Sequence, residues 1–360
     1  MKKVVLAIFL TINLILFSGC THNDENTNTR FGELNSLLDS LTRNNIIPGI
    51  SLSVFTRDST LFLYNGGFAN ISDSIKVDEN TLFEAASLSK QVFAHLYLSS
   101  FQNLIPIDSP LSNYQELKLT NYPEYASQIT PLMLLSHQSG LPNWRGMPDT
   151  EVTDIKNLFN ENDSLNFKFT PGTKFGYSGE GYIWLQEAME SIAGKNLETI
   201  ARDSLFSRMG LNKTSFIYKP ENFTANPYNK EDKPGNKQII NTGIAPASLH
   251  SNAKEFTLLI QNYLKHESSI FEPLVRVDTL NNYTIGWAPG IGTISNTNDK
   301  WLFQWGDNGD FKAYLLYNLT QDLGVVYFVN STKGLSVRNQ IVKKIFKKPP
   351  PMFPNDYSQL

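Results

Sequence analysis

Apolar and polar residues alternate near both ends of the chain, which predicts β-strands in those regions. After the Pro48-Gly49 turn, Ile50, Leu52 and Val54 alternate with polar residues, as in a half-buried strand. An apolar run at 61–64, followed by two glycines, predicts the hairpin partner of this strand. Further strands are predicted at 283–287, 301–306, 311–317 and 324–330.

Between these strands the apolar spacing is mostly helical. A first helix is predicted at 31–41, and others at 183–193, 197–209, 252–264 and 335–346. Asn196 and Ser251 are suitable residues for the helix starts, and Gly210 is suitable for a helix end. The pattern predicts one α+β unit in which the terminal strands form a single antiparallel sheet, flanked by helices and interrupted by a mostly helical insertion.

The N-terminus has the pattern of a secretory signal. Two lysines precede an apolar stretch that ends at Ser18-Gly19-Cys20, the single cysteine of the chain. The stretch resembles a bacterial lipoprotein signal, which predicts removal of residues 1–19 and lipidation of Cys20; an ordinary signal peptide or an uncleaved anchor is the alternative. The remaining predicted boundaries are a polar spacer at 20–30, the main folded domain at 31–346 and a proline-rich tail at 347–360.

Composition narrows the function classes. The chain of 360 residues is 41% hydrophobic and 18% charged, so it can bury a large core, and disorder is excluded for most of it. A net charge of −3 without basic clusters gives no electrostatic footprint for nucleic acid. The histidines show no metal-ligand spacing, so neither a metal nor another cofactor is expected. The expected partners are a small-molecule or peptide substrate and, through the lipid anchor, a membrane.

Ser87 and Lys90 form the most informative motif. They stand three residues apart at the start of the apolar run 91–98, so a helix would place them on one face, with Ser87 in its first turn. A lysine that is partly removed from water can take the proton of a neighbouring serine, which makes a nucleophile without histidine or metal. Alone, this spacing is more often a solvated helix face, so the hypothesis needs support elsewhere in the chain.

A glycine-rich loop at 171–182 carries Tyr177, whose phenol can serve as a general acid or base beside a serine. If Lys90 lies nearby, its charge would favour the phenolate. A tyrosine that simply packs a turn is the alternative. Ser178 nearly fits a Gly-x-Ser-x-Gly elbow, but Glu180 replaces the second glycine, so Ser178 is rejected as the nucleophile.

The third motif is the segment 303–311, with Gln304, Trp305, Gly306 and Asp307 at the predicted end of a strand. A strand that ends in glycine can direct backbone N–H groups at a substrate oxygen, as an oxyanion hole requires. The alternative is an ordinary hairpin turn, since Asp-Asn-Gly favours turns.

In this order, the three motifs resemble the serine β-lactamase and penicillin-binding-protein family, most closely its class C, D-alanyl-D-alanine carboxypeptidase and esterase branch. The resemblance covers about residues 31–346. The remaining matches are Pro48-Gly49-Ile50, Ile107-Asp108-Ser109-Pro110-Leu111, the segment 129–142 with its Leu-Leu-Ser-His-Gln-Ser-Gly-Leu-Pro sequence, Met209-Gly210-Leu211 and the helix start at 247–256.

The resemblance implies a role for each matched residue. Ser87 would form an acyl-enzyme, and Lys90 and Tyr177 would share the general base and acid roles, with the base left open between them. The backbone N–H groups of Ser87 and Asp307 would form the oxyanion hole. Substrate binding would involve Gly179, Gln304, Trp305 and Gly306, with Trp305 and Tyr182 as candidate pocket walls. His137 is interpreted as a structural residue that bonds backbone groups.

The chain departs from the family pattern at two positions. Gly179 stands where the family usually has asparagine, and neutral Gln304 replaces a cation that normally meets a substrate carboxylate. The resemblance therefore implies a cell-envelope serine hydrolase, anchored to a membrane that faces the periplasm or the exterior, acting on an ester or amide such as a wall peptide. The alternatives are a true β-lactamase and a catalytically weakened binder of wall peptides.

Overall fold

The computed structural model describes residues 24–118, 121–145, 164–266 and 268–351, and only the backbone of residues 24–30. The predicted signal peptide and Cys20 lie outside the described residues. Helix α1 spans Asp24–Arg43 and thus begins within the segment predicted as a spacer, earlier than the predicted start at Phe31. Within the described residues, no helix has both the length and the apolar character needed to cross a bilayer.

A large antiparallel sheet confirms the predicted α+β architecture. Its strands are β1 Gly49–Phe55, β2 Thr60–Asn70, β3 Ile75–Lys76, β6 Val275–Leu280, β7 Tyr283–Ala288, β8 Ile291–Ser295, β9 Lys300–Asp307, β10 Lys312–Asn318 and β11 Leu323–Val329. In the described part of the chain these nine strands lie in the order β3-β2-β1-β11-β10-β9-β8-β7-β6. Strands β1 and β11 are neighbours, with Ile50 opposite Val329, so strands from the two ends of the chain pair inside the sheet.

The central strands are covered on both faces, which explains their nearly continuous apolar sequences. Every residue of β1 and β10 is buried. On one face, Leu34 and Leu38 of α1 and Ile341 of α7 (Arg338–Ile345) pack over the sheet. The inserted helical region covers the other face, where α6 (Ala253–Tyr263) lies against β1. A short strand pair, β4 (Phe83–Glu84) with β5 (His250–Ser251), joins this region to the sheet.

The inserted region contains α2 Ser89–Ser100, α3 Pro131–Leu135, α4 Glu180–Ala193, α5 Leu197–Ala201 and α6 Ala253–Tyr263. After α5 the chain continues as one turn of π-helix and one of 3₁₀-helix. This helical stretch ends at Gly210, whose φ of 69° a glycine adopts without strain. The predicted helix at 197–209 is therefore helical throughout but not a regular α-helix.

Five of the described strands were missed from sequence, and one position was wrong in detail. Three of them, β3, β4 and β5, are only two residues long. Strand β6 lies at a sheet edge, and its apolar–polar alternation lasts only from Val275 to Asp278. Strand β8 is a short glycine-containing run without alternation. Ser87 lies in a 3₁₀ turn, Ala86–Leu88, rather than in the first turn of the following α-helix. Helix α2 begins two residues later, at Ser89.

Candidate active site

The turn that carries Ser87 is held in an unusual backbone conformation. Ala86 has a φ of 48°, in the left-handed region that alanine rarely adopts. Hydrogen bonds fix the strained turn in place: the Ser89 hydroxyl donates to the Ala86 carbonyl at 2.5 Å and accepts from the Leu249 N–H at 3.0 Å. The turn therefore projects the half-buried Ser87 from a rigid base.

Lys90 lies next to the Ser87 hydroxyl, as predicted. Its Nζ is 3.2 Å from Ser87 Oγ and donates to the Pro246 carbonyl at 3.0 Å. Only 1% of the residue is exposed, and this burial lowers the pKa of Lys90 to about 7. A large fraction of the amine is therefore neutral near pH 7, with a lone pair that can accept the Ser87 proton.

Tyr177 completes the predicted group. Lys90 Nζ is 4.8 Å from the centroid of the Tyr177 ring. The Tyr177 hydroxyl accepts a hydrogen bond of 2.9 Å from Nε2 of Gln304, which is itself 1% exposed. Gln304 occupies the strand position expected for the family's cation, but its amide nitrogen is hydrogen-bonded to the Tyr177 hydroxyl.

His137 has the structural role interpreted from the sequence. Its Nδ1 accepts a 3.0 Å hydrogen bond from the Ser178 N–H, and its ring lies 4.2 Å from the Tyr177 ring, centroid to centroid. Burial, reinforced by the nearby charge of Lys90, lowers the pKa of His137 well below its usual value. The neutral imidazole thus holds the loop that presents Tyr177. Ser178 also serves this loop, since its hydroxyl donates to the Pro142 carbonyl at 2.9 Å.

Strand β9 approaches the nucleophile turn at Gly306. A Cβ atom placed there would lie 2.4 Å from the Ala85 carbonyl, so only glycine allows the two backbones to come this close. Asp307 ends the strand, and its side chain pairs with Lys312 and accepts from the Gly309 N–H. The end of β9 is thus brought beside the segment that leads to Ser87.

The space beside Gly179 is filled by an aromatic ring. A Cβ atom at Gly179 would lie 2.7 Å from the Asn143 carbonyl and 2.7 Å from the Trp144 indole. Lys90 Nζ is 5.8 Å from the centroid of that indole. An apolar side chain therefore stands where the family's asparagine amide is expected.

Glu180 does not enter this space. Its carboxylate accepts from the Arg145 N–H at 2.8 Å and forms a buried ion pair with the Arg145 guanidinium at 2.6 Å. These contacts fix the segment that carries Trp144 to the start of α4. Glu180 thereby holds the Trp144 indole in position.

Neither predicted pocket wall is supported by the geometry. Trp305 alternates with Gln304 along β9, so its side chain faces the other side of the sheet, where it stacks on Phe303 at 5.9 Å between centroids. Tyr182 is completely buried, and its hydroxyl donates to the Leu135 carbonyl. Its ring contributes to the apolar surroundings of Lys90, 5.8 Å from Nζ.

Sequence reasoning missed Trp144 as a site residue, and it missed the carbonyl acceptor at Pro246. Trp144 gave no signal because its neighbour Gly179 lies far away in sequence. Within the described residues, no cluster of three metal-ligating side chains is found.

The geometry agrees with comparisons against known proteins. A family model described as Beta-lactamase matches residues 34–345. The chain belongs to the beta-lactamase family. Protein flp of Staphylococcus aureus is 23% identical over 339 residues, which cover 84% of this chain but only 64% of that protein.

Several solved structures share the fold. An octameric penicillin-binding-protein homologue from Pyrococcus abyssi is 20% identical with a TM-score of 0.68, covering 88% of this chain and 79% of its own. A β-lactamase/D-alanine carboxypeptidase from Pseudomonas syringae is 16% identical with a TM-score of 0.66, covering 88% and 99%. Serine hydrolases are typical of the family, and the fold matches theirs.

Proposed function

We propose that this beta-lactamase family member is a serine hydrolase that acts through an acyl-enzyme on Ser87. The observation that carries the proposal is the buried Lys90 amine, 3.2 Å from the Ser87 hydroxyl and with its pKa lowered to about 7. A solvated helix face, the alternative for this motif, would leave the lysine exposed and protonated.

In the first step, neutral Lys90 accepts the Ser87 proton while Ser87 Oγ forms a bond to the substrate carbonyl carbon. The negative charge on the carbonyl oxygen is stabilised by the backbone N–H groups of Ser87 and Asp307. Collapse of this intermediate breaks the bond to the leaving group, which receives a proton from Lys90 through Tyr177. Water then attacks the acyl-enzyme, with the same groups handling its proton, and releases the acid and free Ser87.

The surroundings of the site favour a neutral substrate. Gln304 brings no charge, and its amide nitrogen is engaged by Tyr177, so a substrate carboxylate gains no charge-assisted bond there. Trp144 offers an apolar surface in place of an amide. We therefore place small esters, or amides without an adjacent carboxylate, ahead of β-lactams and D-alanine termini.

The cell-envelope location remains part of the proposal. The sequence at Ser18-Gly19-Cys20 supports export and lipidation of Cys20, which would tether the domain to a membrane that faces the periplasm or the exterior. We expect globomycin to change the electrophoretic mobility of the expressed wild-type chain and to leave that of Cys20→Ala unchanged.

Intact-mass measurement after treatment with a fluorophosphonate, and in parallel with a penicillin, tests the enzyme proposal. We expect one phosphonyl adduct on the wild type, none on Ser87→Ala, and faster turnover of p-nitrophenyl esters than of the penicillin. A folded wild type labelled by neither reagent would instead support a non-catalytic binder of wall peptides. Rapid hydrolysis of the penicillin would support a β-lactamase.

A further inference from the structure

Glu84 is a buried carboxylate that the proposed mechanism does not use. It lies on β4, three residues before Ser87, and is 2% exposed. Its Oε2 accepts from Asn308 Nδ2 at 2.9 Å, and its Oε1 accepts from the Gln238 N–H at 3.3 Å. Burial raises the pKa of Glu84 to about 7, although the hydrogen bonds from Asn308 and Gln238 and the charge of Lys237 oppose that shift. Burying a carboxylate is costly unless hydrogen bonds compensate, so the contacts that Glu84 makes are the place to look for its role.

Asn308 connects Glu84 to two other parts of the site. It directly follows Asp307, whose backbone N–H is the proposed second donor of the oxyanion hole. Its Nδ2 also donates to the Ala247 carbonyl at 3.3 Å. Ala247 follows Pro246, whose carbonyl accepts from Lys90 Nζ.

One amide group therefore links three segments: the segment before Ser87, the segment that holds the Lys90 amine, and the end of β9. Oxyanion stabilisation depends on donors held within a few tenths of an ångström of the reacting oxygen. Asp307 is exposed, and its side-chain contacts with Lys312 and Gly309 lie within its own hairpin, so they do not join the strand end to the segment before Ser87. The Asn308 amide makes that connection.

We propose that Glu84 and Asn308 are a pair of positioning residues that hold the Asp307 N–H in register with Ser87 and Lys90. The pair touches no substrate atom and acts only through the backbone segments that it joins. This inference rests on the proposed function and adds two residues to its machinery.

Exchanging the two groups tests the pair. Asn308→Asp places two carboxylates together, so we expect the rate constant for Ser87 phosphonylation and kcat for a p-nitrophenyl ester to fall about 10- to 100-fold, with KM within about twofold. Asn308→Ala, at a partly exposed site, should lose at least about tenfold. In Glu84→Gln/Asn308→Asp the amide at position 84 can donate to the carboxylate at 308, so the double variant should label faster than Asn308→Asp. It should still label more slowly than the wild type, because a carboxylate at 308 cannot donate to the Ala247 carbonyl.

Glu198→Gln is the matched control. Glu198 is also a buried carboxylate that accepts a backbone N–H, from Phe216 at 2.7 Å, and its ion-pair partners are Arg202 and Lys219. We expect its phosphonylation rate to equal that of the wild type, even if its melting temperature falls. Melting temperatures of all variants separate misplacement of the strand end from unfolding.

The outcomes distinguish this inference from the proposed function. A wild type that is not phosphonylated on Ser87 overturns both. A labelled wild type together with folded Asn308→Asp and Asn308→Ala variants of unchanged rate overturns the positioning role alone. A double variant no faster than Asn308→Asp would show that the two groups do not act as a pair.

Discussion

At the scale of single residues, the proposed chemistry depends on removing Lys90 from water. The amine is held against the Pro246 carbonyl and bordered by the rings of Trp144, Tyr177 and Tyr182. No carboxylate contributes to the shift in its pKa, which comes from burial alone. A helical serine and lysine become a nucleophile and base only in such surroundings.

Ser87 reactivity should therefore rise with pH through about pH 7. Below that pH Lys90 is protonated and cannot accept the serine proton, so the phosphonylation rate should fall about tenfold for each unit of pH. Above it the rate should level off. Measuring the rate constant from pH 5 to pH 9 checks this, and a pH-independent rate would contradict a base role for Lys90.

Glu84 has a pKa near the same value, so a substitution is needed to decide which of the two groups causes the pH dependence. Glu84→Gln should react more slowly but keep the same pH dependence, because Lys90 is unchanged. Lys90→Met preserves volume without a base and should lose labelling by at least about 100-fold at every pH. Loss of the pH dependence in Glu84→Gln would assign it to the carboxylate instead.

Restoring the family's asparagine at position 179 should destabilise the protein. Gly179 has a φ of −80°, which any residue adopts, so the cost of Gly179→Asn comes from the clash with the Asn143 carbonyl and the Trp144 ring. We expect a loss of about 1–3 kcal/mol in the free energy of unfolding, measured by urea denaturation.

Gly194→Asn is the control for this substitution. Gly194 has a φ of 60° and open space around its Cβ position, and asparagine tolerates that conformation. Its cost should stay below about 1 kcal/mol. Equal stability of the two variants would show that the Trp144 ring moves aside at little cost and does not fix the shape of the site.

At the scale of elements, the site is assembled where β9 meets the turn before α2. Residues on β9 alternate, so Gln304 and Gly306 face the nucleophile segment while Trp305 faces the opposite layer. Pairing with β10 on one side and β8 on the other fixes the position of the strand. The sheet thereby delivers the proposed oxyanion donor to Ser87.

Gly306→Ala should separate these two segments. The new methyl group would meet the Ala85 carbonyl at 2.4 Å, and backbone atoms cannot move aside as a flexible side chain does. We expect Ser87 phosphonylation to fall about 100-fold, as when one oxyanion donor is lost. Gly32→Ala in α1, where the added Cβ has no neighbour within 4 Å, should label at the wild-type rate. Normal labelling of Gly306→Ala would contradict an oxyanion role for the end of β9.

At the scale of the whole molecule, burial of neutral histidines links stability to pH. Burial lowers the pKa of His95 and His250 to about 4 and that of His137 well below its usual value. Between pH 6.5 and pH 4 the unfolded chain binds protons that the folded chain does not, so stability falls as the pH falls. Glu84, whose pKa is raised, acts in the opposite direction between pH 4.5 and pH 7 but is a single group.

The melting temperature should accordingly fall between pH 6.5 and pH 4, and the fall should be smaller in the His95→Gln/His250→Gln variant. Glutamine keeps hydrogen-bonding groups but takes up no proton in this range. Thermal unfolding followed by circular dichroism at half-unit intervals of pH measures both curves. An identical pH dependence in the variant would assign acid destabilisation to other groups.

Local patterns in the sequence predicted most of the longer strands and the helical insertion, because residue spacing and turn chemistry act over a few positions. They also selected Ser87, Lys90 and Tyr177 as candidate site residues. Tertiary structure alone decided which side of β9 Trp305 faces, that Trp144 fills the space at Gly179, and that Asn308 joins Glu84 to the loop at Ala247. These contacts join residues far apart in the chain, and their existence depends on the packing of the sheet against the helical layer. The lowered pKa of Lys90 was also decided by the tertiary structure, because desolvation depends on all the residues that surround the amine.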